Sequence, residues 1–238
     1  MTLPYGSQRR RWDRSVGGAL LLLGVANVMS NRVLPGWAYV PWNVSVAVAL
    51  CGLGWKAVGP AAMGWQQWRR GVAWGMALMV LTGIAMATAV LMPVFNNLFH
   101  DRRVHDGVGV LLYQTVVRIP LGTVLLEEVA FRSVLPAMFA TRWGVVRGSV
   151  AASLLFGVWH VLPALTLNRV NPVAGDVFGS GAGSVVAAVV FAVVGTFLAG
   201  LWWCWIRYRA RSIAATMIAH VATNSIGYLI AWIVSTRP

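Results

Sequence analysis

Long apolar runs separated by short clusters of arginine, proline and glycine dominate this chain. A bilayer core of roughly 30 Å needs about 20 apolar residues per spanning helix. Stretches of that kind lie near residues 15–31, 38–57, 71–95, 108–138, 147–166, 183–206 and 212–235. The pattern therefore predicts an all-α, polytopic transmembrane helix bundle of about seven spans. The fourth stretch is too long for one straight helix. Arg118 followed by Pro120 marks a break there, because proline removes a backbone donor and clashes with the preceding turn; division at that point adds an eighth, short helix. The first run follows Arg9, Arg10, Arg11 and Arg14 and has some signal-peptide character, yet five or more spans follow it, so it reads as a retained signal anchor.

Composition agrees with this choice of solvent. Hydrophobic residues make up 58% of 238, only 11% are charged, and there are 13 tryptophans, well outside the range of soluble domains. The net charge of +13 does not point to nucleic acid, since the bases occur in short groups between apolar runs. They report orientation instead. With the N-terminus inside, twelve fall on inner segments (Arg9, Arg10, Arg11, Arg14, Lys56, Arg69, Arg70, Arg142, Arg147, Arg207, Arg209, Arg211). Five fall outside (Arg32, Arg102, Arg103, Arg169, Arg237). The positive-inside bias thus predicts a cytoplasmic N-terminus in a multi-pass protein of the cell's plasma membrane. Cys51 and Cys204 both lie in apolar spans and encode no disulfide framework. The chain divides into accessory spans at 1–107, three helices, and a core at 108–238 that carries the chemistry. The Gly-rich stretch 168–183 reads as an ordinary outer connector.

Ionisable groups within a membrane are costly, roughly 2.5 to 3.5 kcal/mol for a centrally placed charge on insertion scales. Of six acids, Asp13, Asp101, Asp106 and Asp176 fall in the N-terminal tail or loops; Glu127 and Glu128 alone lie in a span, within LLEEVAFR. Glu128 and Arg132 are four apart on one helix face, an arrangement that favours an ion pair, whereas Glu127 projects about 100° away, with Phe131 one turn below it. Glu127 is then the acid left free. A buried polar cluster that only fixes helix packing is the competing account, and at this point the two are evenly matched.

Two histidines shift the balance. His160 ends FGVWH with Phe156 one turn before it, and His220 opens HVATN with Asn224 one turn after it. At 1.5 Å per residue from the predicted cytoplasmic ends, Glu127, His160 and His220 lie on the order of 17, 21 and 14 Å deep. Three spans therefore bring polar groups to one level.

The ordered set EExxxR (Glu127, Glu128, Arg132), FxxxH (Phe156, His160) and HxxxN (His220, Asn224), on separate spans, resembles the CAAX protease and bacteriocin-processing family, also called the Abi family, of type II CAAX prenyl endopeptidases. The resemblance covers roughly residues 115–235. It implies an intramembrane endopeptidase that hydrolyses a peptide bond of a membrane-associated protein or peptide, with the lipid bilayer and that substrate as partners. Glu127 would take the proton from water, His160 would hold and orient that water, and His220 with Asn224 would donate to the tetrahedral oxyanion. Glu128, Arg132 and Phe156 would support them.

Metal remains a second reading. Glu127, His160 and His220 are able to supply three ligands to zinc, but the HExxH arrangement is absent, and a glutamate that ligates the ion is poorly placed to act as base. Metal-free chemistry with no cofactor is the favoured expectation. Two other function classes compete: a membrane interaction or immunity protein on the same fold, and a proton-coupled transporter, which typically shows paired broken helices in related halves that this chain lacks. His100 and His105, beside Asp101 and Asp106, read as solvated loop residues. Trp37, Trp42, Trp65, Trp68, Trp202, Trp203 and Trp205 suit an interfacial belt, and Arg118 suits outward snorkelling.

Overall fold

Apolar surroundings offer the backbone no hydrogen-bonding solvent, so each span must pair its own N–H and C=O groups within a helix. The computed structural model describes residues 5–96, 99–101, 104, 107–179 and 181–236. Among those residues the chain is a helix bundle without a strand. Helix α1 (Tyr5–Val28) runs on through a wide turn at Met29–Val33. It is followed by α2 (Tyr39–Ala62) and α3 (Trp68–Leu91). The fourth and fifth expected spans form one 57-residue helical stretch, Val108–Ala164, folded back on itself at Gly144. The φ of 77° and ψ of 166° there suit glycine, which has no Cβ to clash. The two limbs are α4 (108–143) and α5 (145–159). Their fold is tight, since a Cβ on Gly148 would stand 2.9 Å from the Ala140 nitrogen. Helices α6 (Ala182–Ala210) and α7 (Ile213–Thr236) complete the bundle. Among the described residues six stretches are long and apolar enough to cross a membrane; taking the folded one as two limbs yields the expected seven.

Two expectations from sequence are corrected. The chain does not break at Pro120: Tyr113–Val124 takes up wider, π-type turns, in which the Leu125 N–H reaches back five residues to the Pro120 carbonyl. The wider turn gives the pyrrolidine ring room that a 3.6-residue turn lacks. No eighth span results. The stretch 168–183 is likewise more ordered than a Gly-rich connector, because Leu167–Val170 and Pro172–Phe178 are short helices. The Asn171 side chain caps the second by accepting from the Ala174 N–H at 3.0 Å, a typical N-cap arrangement.

The first two helices share a core with the span that carries the glutamates. Val16, Ala19 and Leu23 of α1 and Val46 and Leu50 of α2 pack in one cluster with Leu126, Val129, Phe131, Leu135 and Phe156. Polar bolts reinforce that packing. Trp12 donates to the Met138 carbonyl at 2.9 Å, and Asn43 donates to the Gly122 carbonyl at 2.8 Å. Trp65 donates to Ser133 Oγ, which donates in turn to the Met63 carbonyl, both at 2.9 Å. Each such bond contributes about 0.5 to 1.5 kcal/mol net. Helix α3 closes on α7 through small residues: a Cβ on Gly75 would come within 2.7 Å of Ile218 Cβ, and Gly71 meets Ser212 and Ala214. Small residues one turn apart allow helices to approach this closely in lipid. Large apolar side chains such as Val80, Leu81, Ile84, Phe191 and Leu198 stay exposed, which suits faces turned to acyl chains. Exposed Trp37, Trp68, Trp202 and Trp205 fit the interfacial belt.

Candidate active site

The glutamate pair sits on α4 between two stretches of widened turn, Tyr113–Val124 and Val129–Val134. Insertions of this kind recur at functional sites because they re-aim side chains without ending the helix. Glu127 is 6% exposed and Glu128 fully buried, so each needs a partner within the protein.

Glu128 has two partners that converge on one of its oxygens, and its Oε2 makes no hydrogen bond among the described residues. Arg132 Nε lies 3.5 Å from its Oε1, as the i, i+4 spacing predicts. His220 of α7 donates from Nδ1 to the same oxygen at 2.8 Å. Arg132 is itself buried, and its guanidinium stacks 3.8 Å over the Phe156 ring, a cation–π contact that gains from desolvation. Phe156 also packs edge-on against His160 at 4.6 Å and against Phe131 at 5.3 Å. One ring thus ties the FxxxH turn of α5 to the arginine of α4.

Glu127 is not the free acid that helical geometry suggests. Its Oε1 accepts from Trp159 Nε1 at 3.0 Å, and its Oε2 lies 3.7 Å from His220 Nε2. The 100° projection separates Glu127 from the Arg132 face but says nothing of partners on other helices, and an imidazole has nitrogens on two edges. His220 therefore stands between the adjacent carboxylates, one ring nitrogen toward each. With Nδ1–H committed to Glu128, neutral His220 presents Nε2 as an acceptor and protonated His220 presents it as a donor.

His160 and Asn224 flank this centre. His160 follows Trp159 at the end of α5, and its Nδ1 pairs with the Phe156 carbonyl at 2.8 Å. Asn224, one turn beyond His220, is half-buried and makes no hydrogen bond within the described residues. The structure thus joins Glu127, Glu128, Arg132, Phe156 and His220 by direct contact. It brings the end of α5 to them through Trp159.

Trp159 and Tyr39 escaped the sequence analysis. A tryptophan in a membrane protein reads as an interfacial anchor, and only its neighbour His160 signalled otherwise. Tyr39, at the start of α2, hydrogen-bonds Thr123 at 3.2 Å and receives the Arg118 guanidinium over its ring at 4.3 Å. Arg118 also donates to Gln114 at 3.3 Å, so it is held by protein neighbours rather than extended outward. His100 lies beside Asn171, which donates to its carbonyl at 3.3 Å. His105, Asp106, Arg102, Arg103 and Arg237 lie outside the described residues.

In a scan of protein families, residues 109–226 match the one described as type II CAAX prenyl endopeptidase Rce1-like. That segment holds every residue of the three motifs. By that match the segment 109–226 belongs to the CAAX protease family. No curated protein and no solved structure matches the chain. The family is one of membrane-embedded proteases, so this chain is an integral membrane protein of the CAAX protease type.

The CAAX protease segment also allows zinc to be tested against its donors. His220 Nε2 and Glu127 Oε2, 3.7 Å apart, are near the separation two ligands of one ion would have. Among the described residues, however, no three His, Cys, Asp or Glu side chains converge on one point. The triad Glu127, His160 and His220 is therefore not assembled as a metal-ligand set.

Proposed function

We propose that this chain is a glutamate-dependent intramembrane endopeptidase acting on a membrane-associated protein or peptide, close to the substrate's C-terminus. The observation that carries this reading is the placement of His220 between two glutamates of unequal commitment. Glu128 is paired through one oxygen with both Arg132 and His220, and Glu127 keeps one oxygen facing the His220 Nε2 edge. A water beside that 3.7 Å gap can contact Glu127 and His220 together, although the two side chains are too far apart for a good direct bond.

Hydrolysis then proceeds in two proton transfers. Glu127 takes a proton from the water, which His160 orients, as its oxygen attacks the scissile carbonyl carbon. Asn224 and the protonated His220 edge donate to the oxyanion, each donor supplying about 2.7 to 4 kcal/mol of transition-state stabilisation. Collapse of the tetrahedral intermediate breaks the C–N bond, and protonated Glu127 returns its proton to the leaving amine. Arg132 and Glu128 fix the imidazole orientation throughout. The family description names prenyl substrates; a lipidated C-terminus would suit a site opened within the bilayer. The positive-inside bias favours a plasma-membrane protein with a cytoplasmic N-terminus.

The test is cleavage of a lipidated C-terminal peptide by the full chain in reconstituted vesicles. Glu127→Gln should abolish turnover while leaving the protein folded. Wild-type turnover in that variant would refute the assignment and favour a non-catalytic interaction protein.

A further inference from the structure

A second concentration of charge lies away from the glutamates, where the α2–α3 turn meets the α6–α7 turn. Ile213 N–H donates to the Gly64 carbonyl at 2.9 Å, and Arg70 donates to the Arg209 carbonyl at 2.9 Å. Between these turns is a pocket lined by Gly64, Gln66, Gln67, Arg207, Tyr208 and Arg211.

Three features distinguish this pocket from a gap between turns. Gly64, at φ +81°, leaves the space of a side chain to Arg207, since a Cβ there would stand 2.9 Å from its Nε. Arg207 is 4% exposed, spends one donor on the Ala62 carbonyl, and has an Nε with no hydrogen-bond partner. Tyr208 covers one face of its guanidinium at 4.2 Å, which leaves the N–H edge for an in-plane acceptor. Among the described residues no carboxylate pairs with Arg207 or Arg211, although a buried cation without an anion is costly. Finally, Gln67 (φ 53°) and Arg211 (φ 54°) are, among the described residues, the two non-glycine residues with left-handed backbone, and both line this pocket. Such backbone persists where the surroundings hold it, often at ligand sites.

The chemistry on offer is two guanidiniums, two carboxamides and a phenol, with no acid, which matches the oxygens of a phosphate. Its surroundings suggest the source. Trp65 packs on Trp68 at 5.8 Å where α3 begins, and Trp202 stacks on Trp205 at 5.0 Å near the end of α6, and tryptophans of this kind mark headgroup level. Arg69, Arg70 and Arg209 are exposed nearby and would draw an anionic leaflet toward this end. We propose that this pocket binds the phosphate of an anionic phospholipid headgroup, on the side that the charge bias assigns to the cytoplasm.

The full chain in detergent micelles can be titrated with phosphatidylglycerol, phosphatidylcholine or inorganic phosphate while its unfolding temperature is followed. Phosphatidylglycerol should raise that temperature, and the other two should not. Arg211→Ala, which trims an exposed side chain, should weaken the apparent affinity about fivefold. Arg69→Ala removes the same charge outside the pocket and should leave it unaltered. Equal loss in both variants would show diffuse surface attraction and overturn the proposal. It would also be overturned by stabilisation with inorganic phosphate equal to that with phosphatidylglycerol, or by no stabilisation with the lipid.

Discussion

His220 Nδ1 donates to Glu128 Oε1 across 2.8 Å, joining residues 92 positions apart in the chain and fixing α7 against α4 at the level of the glutamate pair. The bond leaves Nε2 as the ring edge that faces Glu127. Glu128→Gln would keep the shape but give up the charge that Arg132 needs. Loss of one member of a buried pair costs about 3 to 5 kcal/mol. The expected outcome is a large fall in thermal stability together with lost cleavage, against Glu127→Gln, which should lose cleavage with much less destabilisation. Calorimetry of the two variants in the same micelles separates the supporting acid from the base.

Trp159→Phe retains an aromatic ring beside Phe131, with which Trp159 packs at 5.7 Å, but removes the donor to Glu127. Loss of one hydrogen bond to a charged group corresponds to about 1.5 to 3 kcal/mol. We expect kcat to fall about tenfold or more, with KM little changed. An unaltered kcat would show that Trp159 serves packing alone.

His220→Ala and Asn224→Ala should each lower kcat by about 10² to 10³ if both donate to the oxyanion. The two should differ in stability, since His220 is bonded to Glu128 and Asn224 has no such bond. Single-turnover cleavage with parallel unfolding measurements tests both statements. An Asn224→Ala variant with full activity would remove it from the mechanism.

Cleavage should survive exhaustive chelation, and elemental analysis of active protein should find no stoichiometric zinc. Activity lost to chelator and restored by zinc would instead make Glu127 and His220 ligands, at the 3.7 Å separation they already have.

Gly75→Val places a branched side chain where a Cβ alone would approach Ile218 Cβ to 2.7 Å. Forcing α3 off α7 should destabilise the bundle by about 1 to 3 kcal/mol and lower activity by moving His220, although Gly75 touches none of the motif residues. Paired measurements of unfolding temperature and kcat check both effects; unchanged values would show that α3 is passive.

The spans and the buried polar cluster were legible in the sequence for one shared reason. Lipid rejects both unpaired backbone and unpaired charge, so long apolar runs could only be helices, and two glutamates inside one of them demanded partners. Spacing of four placed Arg132 on Glu128 and Phe156 beside His160, and the structure shows both contacts. Spacing failed where turns widen and where partners arrive from other helices. Pro120 was taken as a break and is instead absorbed by a widened helix, and Glu127 was taken as free although Trp159 and His220 both reach it.

By itself, then, the sequence determined a membrane-spanning helix bundle and the span that holds its buried glutamates, because these follow from the cost of polarity in lipid and from short-range helical geometry. Tertiary structure alone decided how the partners are shared. Phe156 reaches Arg132, Trp159 reaches Glu127, and His220 divides its two nitrogens between adjacent carboxylates. Those pairings depend on the hairpin at Gly144, the widened turns of α4 and the close approach of α3 to α7. They are set by contacts between helices distant in sequence, which no local spacing encodes.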